Sequence, residues 1–306
     1  MVERSTTRDS LLSGLRVLDG GMASELEYLD ADINGPLWSA QVLEESPEKI
    51  VAVHRAYIEA GADIIETASY QVSRMGYAEA GLEVASADAA LLRSVALARE
   101  AVEGFPNRRV LIAASLGPYG AALHNGAEYH GNYNCTFDDL IEFHRQRIDV
   151  LASAPPAETP DLLAFETLPS LSEAEAIGQV LAAHPELAAW FSFTCRDCQH
   201  VAHGELLRHC AGAVAALPQT VAIGVNCTHP SHITDLIAEL REASDKPIVV
   251  YPNSGEDWDA RHRCWTGTTD PGAFGDEAEE WYKTGAQIIG GCCRTRPAHI
   301  HMVARK

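Results

Sequence analysis

Basic residues are scarce in this chain: Lys and Arg total 23 against 43 Asp and Glu, a formal net charge of −20 at pH 7. Such a balance repels nucleic acid and anionic membranes, and a cationic or zwitterionic small molecule suits it better. Long apolar runs are missing too. The first ten residues hold no secretory h-region, and no later run reaches bilayer length before a charge or turn interrupts it. The expected compartment is therefore the cytoplasm, with no membrane partner. No HExxH pair occurs among the 13 histidines, and Cys195-Arg196-Asp197-Cys198 has no second CxxC to pair with. Charged linkers and low-complexity tracts are absent. One domain over residues 1–306 is expected, with roughly 1–14 as an N-terminal extension. Nothing in the sequence sets the oligomeric state.

Short apolar runs ending in a small or polar residue alternate with stretches of helical period. The runs are 16–21, 62–69, 109–117, 161–167, 188–195, 220–227, 247–253 and 286–293. Eight such units are the number that closes a (β/α)8 barrel, and barrels of this kind commonly span a chain of this length. Helix signals fall between them. Pro47 follows Ser46 and Gly61 ends the periodic stretch 47–60; Ser86 to Glu103 runs to Gly104. Ser172 with Glu175 reads as a capping box for a helix to Ala183, and Ser231 reads as the cap of a helix over 233–242. An open doubly wound sheet also fits the alternation. The barrel is favoured because Asp19, Glu66, Thr67, Glu166, Asn226, Cys227, Asn253, Cys292 and Cys293 all lie at or near C-terminal strand ends, which a barrel gathers at one mouth.

Eight cysteines in an acidic chain without a secretory signal point to metal ligands or free thiols rather than a disulfide framework. In Gly290-Gly291-Cys292-Cys293 the two glycines permit a bend that turns both thiols toward one ion, with Cys227 as a third ligand. Three sulfurs leave one tetrahedral position on zinc open, as catalysis requires. A pair of buried thiols or a vicinal disulfide is the alternative for Cys292 and Cys293. Cys195 and Cys198 read as incidental loop cysteines. The histidines read as solvated loop residues, and Trp38 and Trp265 as pocket walls or packing residues.

Several motifs together carry a resemblance: Asp19-Gly20-Gly21-Met22, Pro36-Leu37-Trp38, Glu66-Thr67-Ala68-Ser69-Tyr70-Gln71, Gly117-Pro118-Tyr119-Gly120, Phe165-Glu166-Thr167, Gly224-Val225-Asn226-Cys227-Thr228, Tyr251-Pro252-Asn253 and Gly290-Gly291-Cys292-Cys293-Arg294-Thr295. In this order, over nearly the whole length, the chain resembles the homocysteine S-methyltransferase family, zinc-dependent thiol methylases. It looks like the short members that use S-methylmethionine or S-adenosylmethionine, with no room for added folate and cobalamin modules. The resemblance implies methyl transfer to L-homocysteine to give methionine, Zn2+ on Cys227, Cys292 and Cys293, and Asn253 as a displaceable fourth ligand. It also implies amino-acid contacts from Asp19, Gly20, Gly21, Met22 and Glu166, with Thr67 lining the pocket. A selenol acceptor, or betaine as donor, is an alternative within this chemistry. From a different class, the site is structural and closed by a fourth protein ligand such as His229.

Homocysteine needs such help, because a thiol with a pKa of about 8.5 is mostly protonated at neutral pH. The long segment 118–136, rich in Gly, Asn, Tyr and His, reads as a structureless lid. Its Tyr119, Tyr129 and Tyr133 offer aromatic faces to a sulfonium. Relatives often have Tyr-Arg-Gly-Asp-Tyr where this chain has Tyr129-His130-Gly131-Asn132-Tyr133, so two charges are replaced here.

Overall fold

The computed structural model describes residues 14–33, 39–259, 264–266 and 269–306. The expectations for residues 1–13 and for Pro36-Leu37-Trp38 lie outside them, as does that for the Trp265 side chain. Eight parallel strands form the barrel: β1 (Arg16–Val17), β2 (Ile64–Glu66), β3 (Leu111–Leu116), β4 (Leu162–Leu168), β5 (Ala189–Phe193), β6 (Thr220–Asn226), β7 (Ile248–Tyr251) and β10 (Ala286–Ile289). A small antiparallel ribbon, β8 (Asp257–Asp259) with β9 (Cys264–Thr266), follows β7. Strand order runs β1-β10-β7-β6-β5-β4-β3-β2, and a parallel bridge from Leu18 to Ile64 joins the two ends. The open-sheet alternative is thereby excluded.

The helices return the chain from each strand end to the next strand start, as parallel pairing requires. Pro47–Ala60 forms as expected, with Pro47 in its first turn and Gly61 at φ 121° ending it. Val84–Glu103 begins two residues earlier than expected. Two caps differ. Ser170, not Ser172, caps Leu171–Leu181, its Oγ accepting from Glu173 N at 3.3 Å. A 3-10 turn, Pro230–His232, precedes Ile233–Ala243, and the His229 ring rather than Ser231 caps that turn.

Side chains alternate across each strand, so every second residue enters the barrel. Leu18, Ile64, Leu111, Ala113, Leu162, Ala164, Trp190, Val249, Tyr251 and Ile288 fill an apolar interior. The outward set, including Ile65, Ile112, Phe165, Phe191, Ile223 and Val250, packs against the helices in a larger core. One step further along β2, β3 and β4 the same inward alternation reaches Glu66, Ser115 and Glu166. The barrel thus has a greasy floor and a polar mouth. Among the described residues no helix is long and apolar enough to cross a membrane.

Candidate active site

Cys227 follows β6 directly, and Cys292 and Cys293 lie in the turn after β10. Only β7 separates those strands, so the cysteines are neighbours on one side of the mouth rather than facing each other across it. Their Sγ atoms lie within 4.8 Å of one another, the one such group of possible metal ligands among the described residues. The Cys227 and Cys292 sulfurs are joined as a disulfide, and Cys293 Sγ lies 4.0 Å from Cys227 Sγ. The bonded partner of Cys292 is thus Cys227 and not its neighbour Cys293. Burial pushes the Cys293 thiol up to about 11, against a hydrogen bond with the Tyr129 hydroxyl that lowers it.

The two glycines before the cysteines serve close approach rather than an unusual bend. Neither has positive φ. A Cβ on Gly290 would sit 2.5 Å from the Asp19 carbonyl oxygen, and one on Gly291 would run into the Thr295 side chain. Gly20 and Gly21 answer the same need from β1, since a Cβ on Gly21 would lie 2.5 Å from the Cys292 carbonyl oxygen. The turn is then pinned by Cys292 N to Pro252 O at 2.7 Å and Ser254 N to Cys293 O at 3.0 Å. Asn253 thus lies between two residues bonded to the backbone of the cysteine turn. Its Oδ1 is buried and has no hydrogen-bond partner, as a displaceable metal ligand would be without its metal.

Three sulfurs and one orphaned amide oxygen suit a tetrahedral, thiophilic ion. His229, the candidate fourth ligand of a closed site, stands on an exposed turn with Nδ1 2.7 Å from Ser231 Oγ and is not part of the sulfur group.

Asp19, Glu66 and Glu166 form the second half of the mouth. Glu66 N donates to Asp19 Oδ2 at 2.9 Å, while Asp19 Oδ1 and Glu66 Oε1 are buried without partners. Glu166 accepts from Ser115 Oγ and from the Tyr251 hydroxyl. Burial pushes Glu166 from 4.5 to about 7, partly offset by those two hydrogen bonds. Burial also raises Asp19 and Glu66, and repulsion from Glu166 adds to both. Three carboxylates in one dry pocket need a cation to stay ionised together. Glu166 is also close enough to Cys293 to raise its thiol.

The remaining expected site residues have partners of their own. Thr67 Oγ1 lies 2.6 Å from Ser69 Oγ and accepts from Ser115 N at 3.1 Å, tying β2 to β3. Of the three residues Gly20, Gly21 and Met22 expected to contact the amino acid, Gly21 spends its N–H on Thr295 Oγ1 at 3.1 Å.

In the sequence Asn226 is a strand-end polar residue beside Cys227 with no role of its own. Its Oδ1 accepts from Thr167 N at 2.7 Å and Ser192 Oγ at 2.8 Å, while Nδ2 donates to Thr167 Oγ1 at 2.7 Å. Thr167 has φ 57° and Cys227 φ 46°, a strained region for a β-branched residue and for a cysteine. Asn226 holds one and precedes the other. Of the partners of Glu166, Tyr251 belongs to a motif of the sequence but carries no role there, and Ser115 is marked by no motif, although strand alternation alone places it on the inner face.

The segment 118–136 is ordered, in contrast to the structureless lid expected. It contains the turns Tyr119–Ala122 and Ala127–Tyr129. Only Tyr129 of the three tyrosines reaches the sulfurs. Tyr119 and Tyr133 pack with each other and Tyr119 with Phe143, ring centroids 5.5 and 5.2 Å apart, and the Tyr133 hydroxyl donates to Glu173 Oε2 at 2.9 Å. Cys195 is buried, and Cys198 Sγ lies 3.2 Å from His232 Nδ1. Neither belongs to a group of three possible ligands.

A family model described as homocysteine S-methyltransferase matches residues 16–306. The homocysteine S-methyltransferase YbgG of Bacillus subtilis is 45% identical over 298 residues, covering 95% of this chain and 93% of its own. A selenocysteine Se-methyltransferase of Brassica oleracea is 39% identical, covering 96% and 89%. The crystal structure of the homocysteine methyltransferase MmuM from Escherichia coli superimposes in its metallated form with a TM-score of 0.85 at 41% identity, covering 96% of each chain; its oxidized form also gives 0.85. Sequence match and barrel agree over the same span, and the chain belongs to the homocysteine S-methyltransferase family.

Proposed function

We propose that this protein transfers a methyl group from a sulfonium donor, S-methylmethionine or S-adenosylmethionine, to the thiol of L-homocysteine, forming methionine. The observation that carries this reading is one mouth holding both a three-sulfur group and a nest of cation-seeking carboxylates. Cys227, Cys292 and Cys293, reduced, would hold Zn2+, with Asn253 Oδ1 in the place the substrate takes. Bound there, the metal supplies a site where a thiol is held deprotonated and still nucleophilic. Asp19 and Glu166 hold the substrate ammonium, and the backbone of Gly20 and Met22 faces its carboxylate. From the loop side the Tyr129 hydroxyl meets Cys293, and holding both reactants at one mouth contributes up to roughly 7–11 kcal/mol through proximity. The reducing cytoplasm keeps the ligand thiols available. The catalytic unit is taken as the whole barrel, with roughly 1–14 as an extension.

The test is methionine formation by reduced, zinc-replete protein from homocysteine with S-methylmethionine, S-adenosylmethionine or betaine. Product is expected with a sulfonium donor; none with any of the three would end the proposal. Cys292→Ser is expected to lose zinc and turnover while keeping the far-UV circular dichroism of the barrel, and full activity in that variant would remove Cys292 from the ligand set. A selenol acceptor is the second reading, favoured by the selenocysteine methyltransferase relative. Competition between homocysteine and selenocysteine for a limiting donor ranks the two.

A further inference from the structure

The chain leaving β7 passes between the segments that carry the three cysteines and is bonded to each in turn. Cys227 N donates to Tyr251 O at 3.3 Å, Cys292 N to Pro252 O at 2.7 Å, Asn253 N to Thr228 O at 3.1 Å and Ser254 N to Cys293 O at 3.0 Å. All three cysteines are thus bonded through their backbone to residues 251–254, the strip that also carries the orphaned amide oxygen of Asn253. What fixes this strip fixes the spacing of the sulfurs.

Just beyond the strip the chain ties itself down again. Gly255 has φ 97°, a conformation that glycine adopts freely, and Glu256 Oε2 after it accepts from Ser254 Oγ at 3.0 Å. The same oxygen accepts from Arg294 Nε at 3.1 Å, and Arg294 directly follows Cys293. Ser254 and Glu256 are buried, so both bonds to this carboxylate are shielded from water. Arg294 also lies 3.7 Å from the exposed Glu27, a weak surface pair. Its backbone has φ 66°, a strained setting for a long side chain, held by its N–H on Ser24 Oγ at 2.8 Å. One carboxylate oxygen therefore joins the strip 251–254 to the end of the cysteine turn.

We infer that Glu256 is a positioning residue of the sulfur site, clamping the strip to the turn after Cys293 so that Asn253 gives way to substrate by turning its side chain on a fixed backbone. The inference rests on the reading of that site as a zinc centre with Asn253 in the place the substrate takes. A tetrahedral ion needs its ligands at a set spacing, and ordering a loose segment to supply one costs conformational entropy. Contacts from outside the ligand set remove that cost in advance, and losing them lowers metal affinity by about 10–100-fold. Homocysteine depends on the clamp far less. Its thiol takes the place of Asn253, and its ammonium is answered by Asp19 and Glu166, at the ends of β1 and β4.

The experiment pairs zinc affinity, from chelator competition on reduced protein, with calorimetric titration of homocysteine into the zinc-loaded form. Glu256→Gln is expected to weaken zinc by about tenfold or more and homocysteine by less than about threefold. Arg294→Met separates position from charge. Losing a nearby cation would by itself tighten zinc, whereas losing the clamp weakens it, and weakening is expected. Unchanged zinc affinity in Glu256→Gln, tighter zinc in Arg294→Met, homocysteine lost in proportion to zinc, or a metal-free variant without the far-UV circular dichroism of the barrel each overturns the inference. A wild type that binds zinc but no homocysteine would fell the methyl-transfer reading and leave the clamp to stand or fall on the zinc affinities; a wild type that binds no zinc ends both.

Discussion

At the scale of single residues the mouth depends on a few side chains that hold strained backbone. Thr167 would not adopt φ 57° unaided, and it stands directly after Glu166. The amide of Asn226 makes three hydrogen bonds to Thr167 and Ser192 in a site without water access. Asn226→Ala removes all three and leaves Thr167 N and both hydroxyls to find new partners. With each buried unpaired group costing about 1–3 kcal/mol, and some relaxation of Thr167, the loss is expected to be about 3 kcal/mol. Because Cys227 follows, zinc affinity is expected to fall with it. Denaturant unfolding and chelator competition measure the two effects; an unchanged midpoint would mean that Asn226 does not hold the strain. The residue type and its strand-end position were readable from the sequence. Its partners, on β4 and β5, were not, because a hydrogen bond between strands distant in sequence leaves no local pattern.

At the scale of elements the sequence was informative wherever the signal was local. Eight apolar runs became eight barrel strands, and Pro47 and Gly61 bound their helix. The cap of Leu171–Leu181 shows where locality ends. Ser170 with Glu173 and Ser172 with Glu175 are the same motif two residues apart; at the first only the serine half forms, since the Glu173 carboxylate goes to Tyr119 N, Tyr133 and His144 rather than back to the cap. Tertiary contact chose the register. Glycines in strands carry a related message. Gly224 sits mid-strand in β6 with ordinary φ, yet a Cβ there would collide with the Val249 carbonyl on β7. Gly224→Ala must push β6 and β7 apart just below Cys227 and Asn253. We expect poor soluble expression or a midpoint lowered by several kcal/mol, at the upper end of single-site effects. Wild-type stability by thermal unfolding would show that the strands have slack.

For the whole molecule the carboxylate nest sets a conflict between function and stability, and pH exposes it. A carboxyl raised from 4.5 to about 7, as Glu166 is, keeps in the folded state a proton that the unfolded chain releases. The folded state therefore binds more protons between those values, and stability falls as pH rises through that window. Asp19 and Glu66, raised as well, act in the same direction. His54 and His144 oppose them. Burial lowers both from 6.5 to about 4, so each gains stability as pH rises over nearly the same range. The wild-type profile alone is then a sum of opposing slopes on a chain of net charge −20. The difference between Glu166→Gln and wild type isolates one slope, since glutamine keeps an acceptor for Ser115 and Tyr251 but no charge. In metal-free, reduced protein the variant is expected to match the wild type near pH 5. By pH 8 it should exceed it, by at most on the order of 3 kcal/mol from the shift and by less where the three carboxylates share protons. The same variant should bind homocysteine more weakly, because the charge that strains the empty pocket is the charge the ammonium needs. A pH-independent difference in denaturant midpoint, or a variant less stable at pH 8, would show that Glu166 is already ionised and satisfied before any substrate arrives.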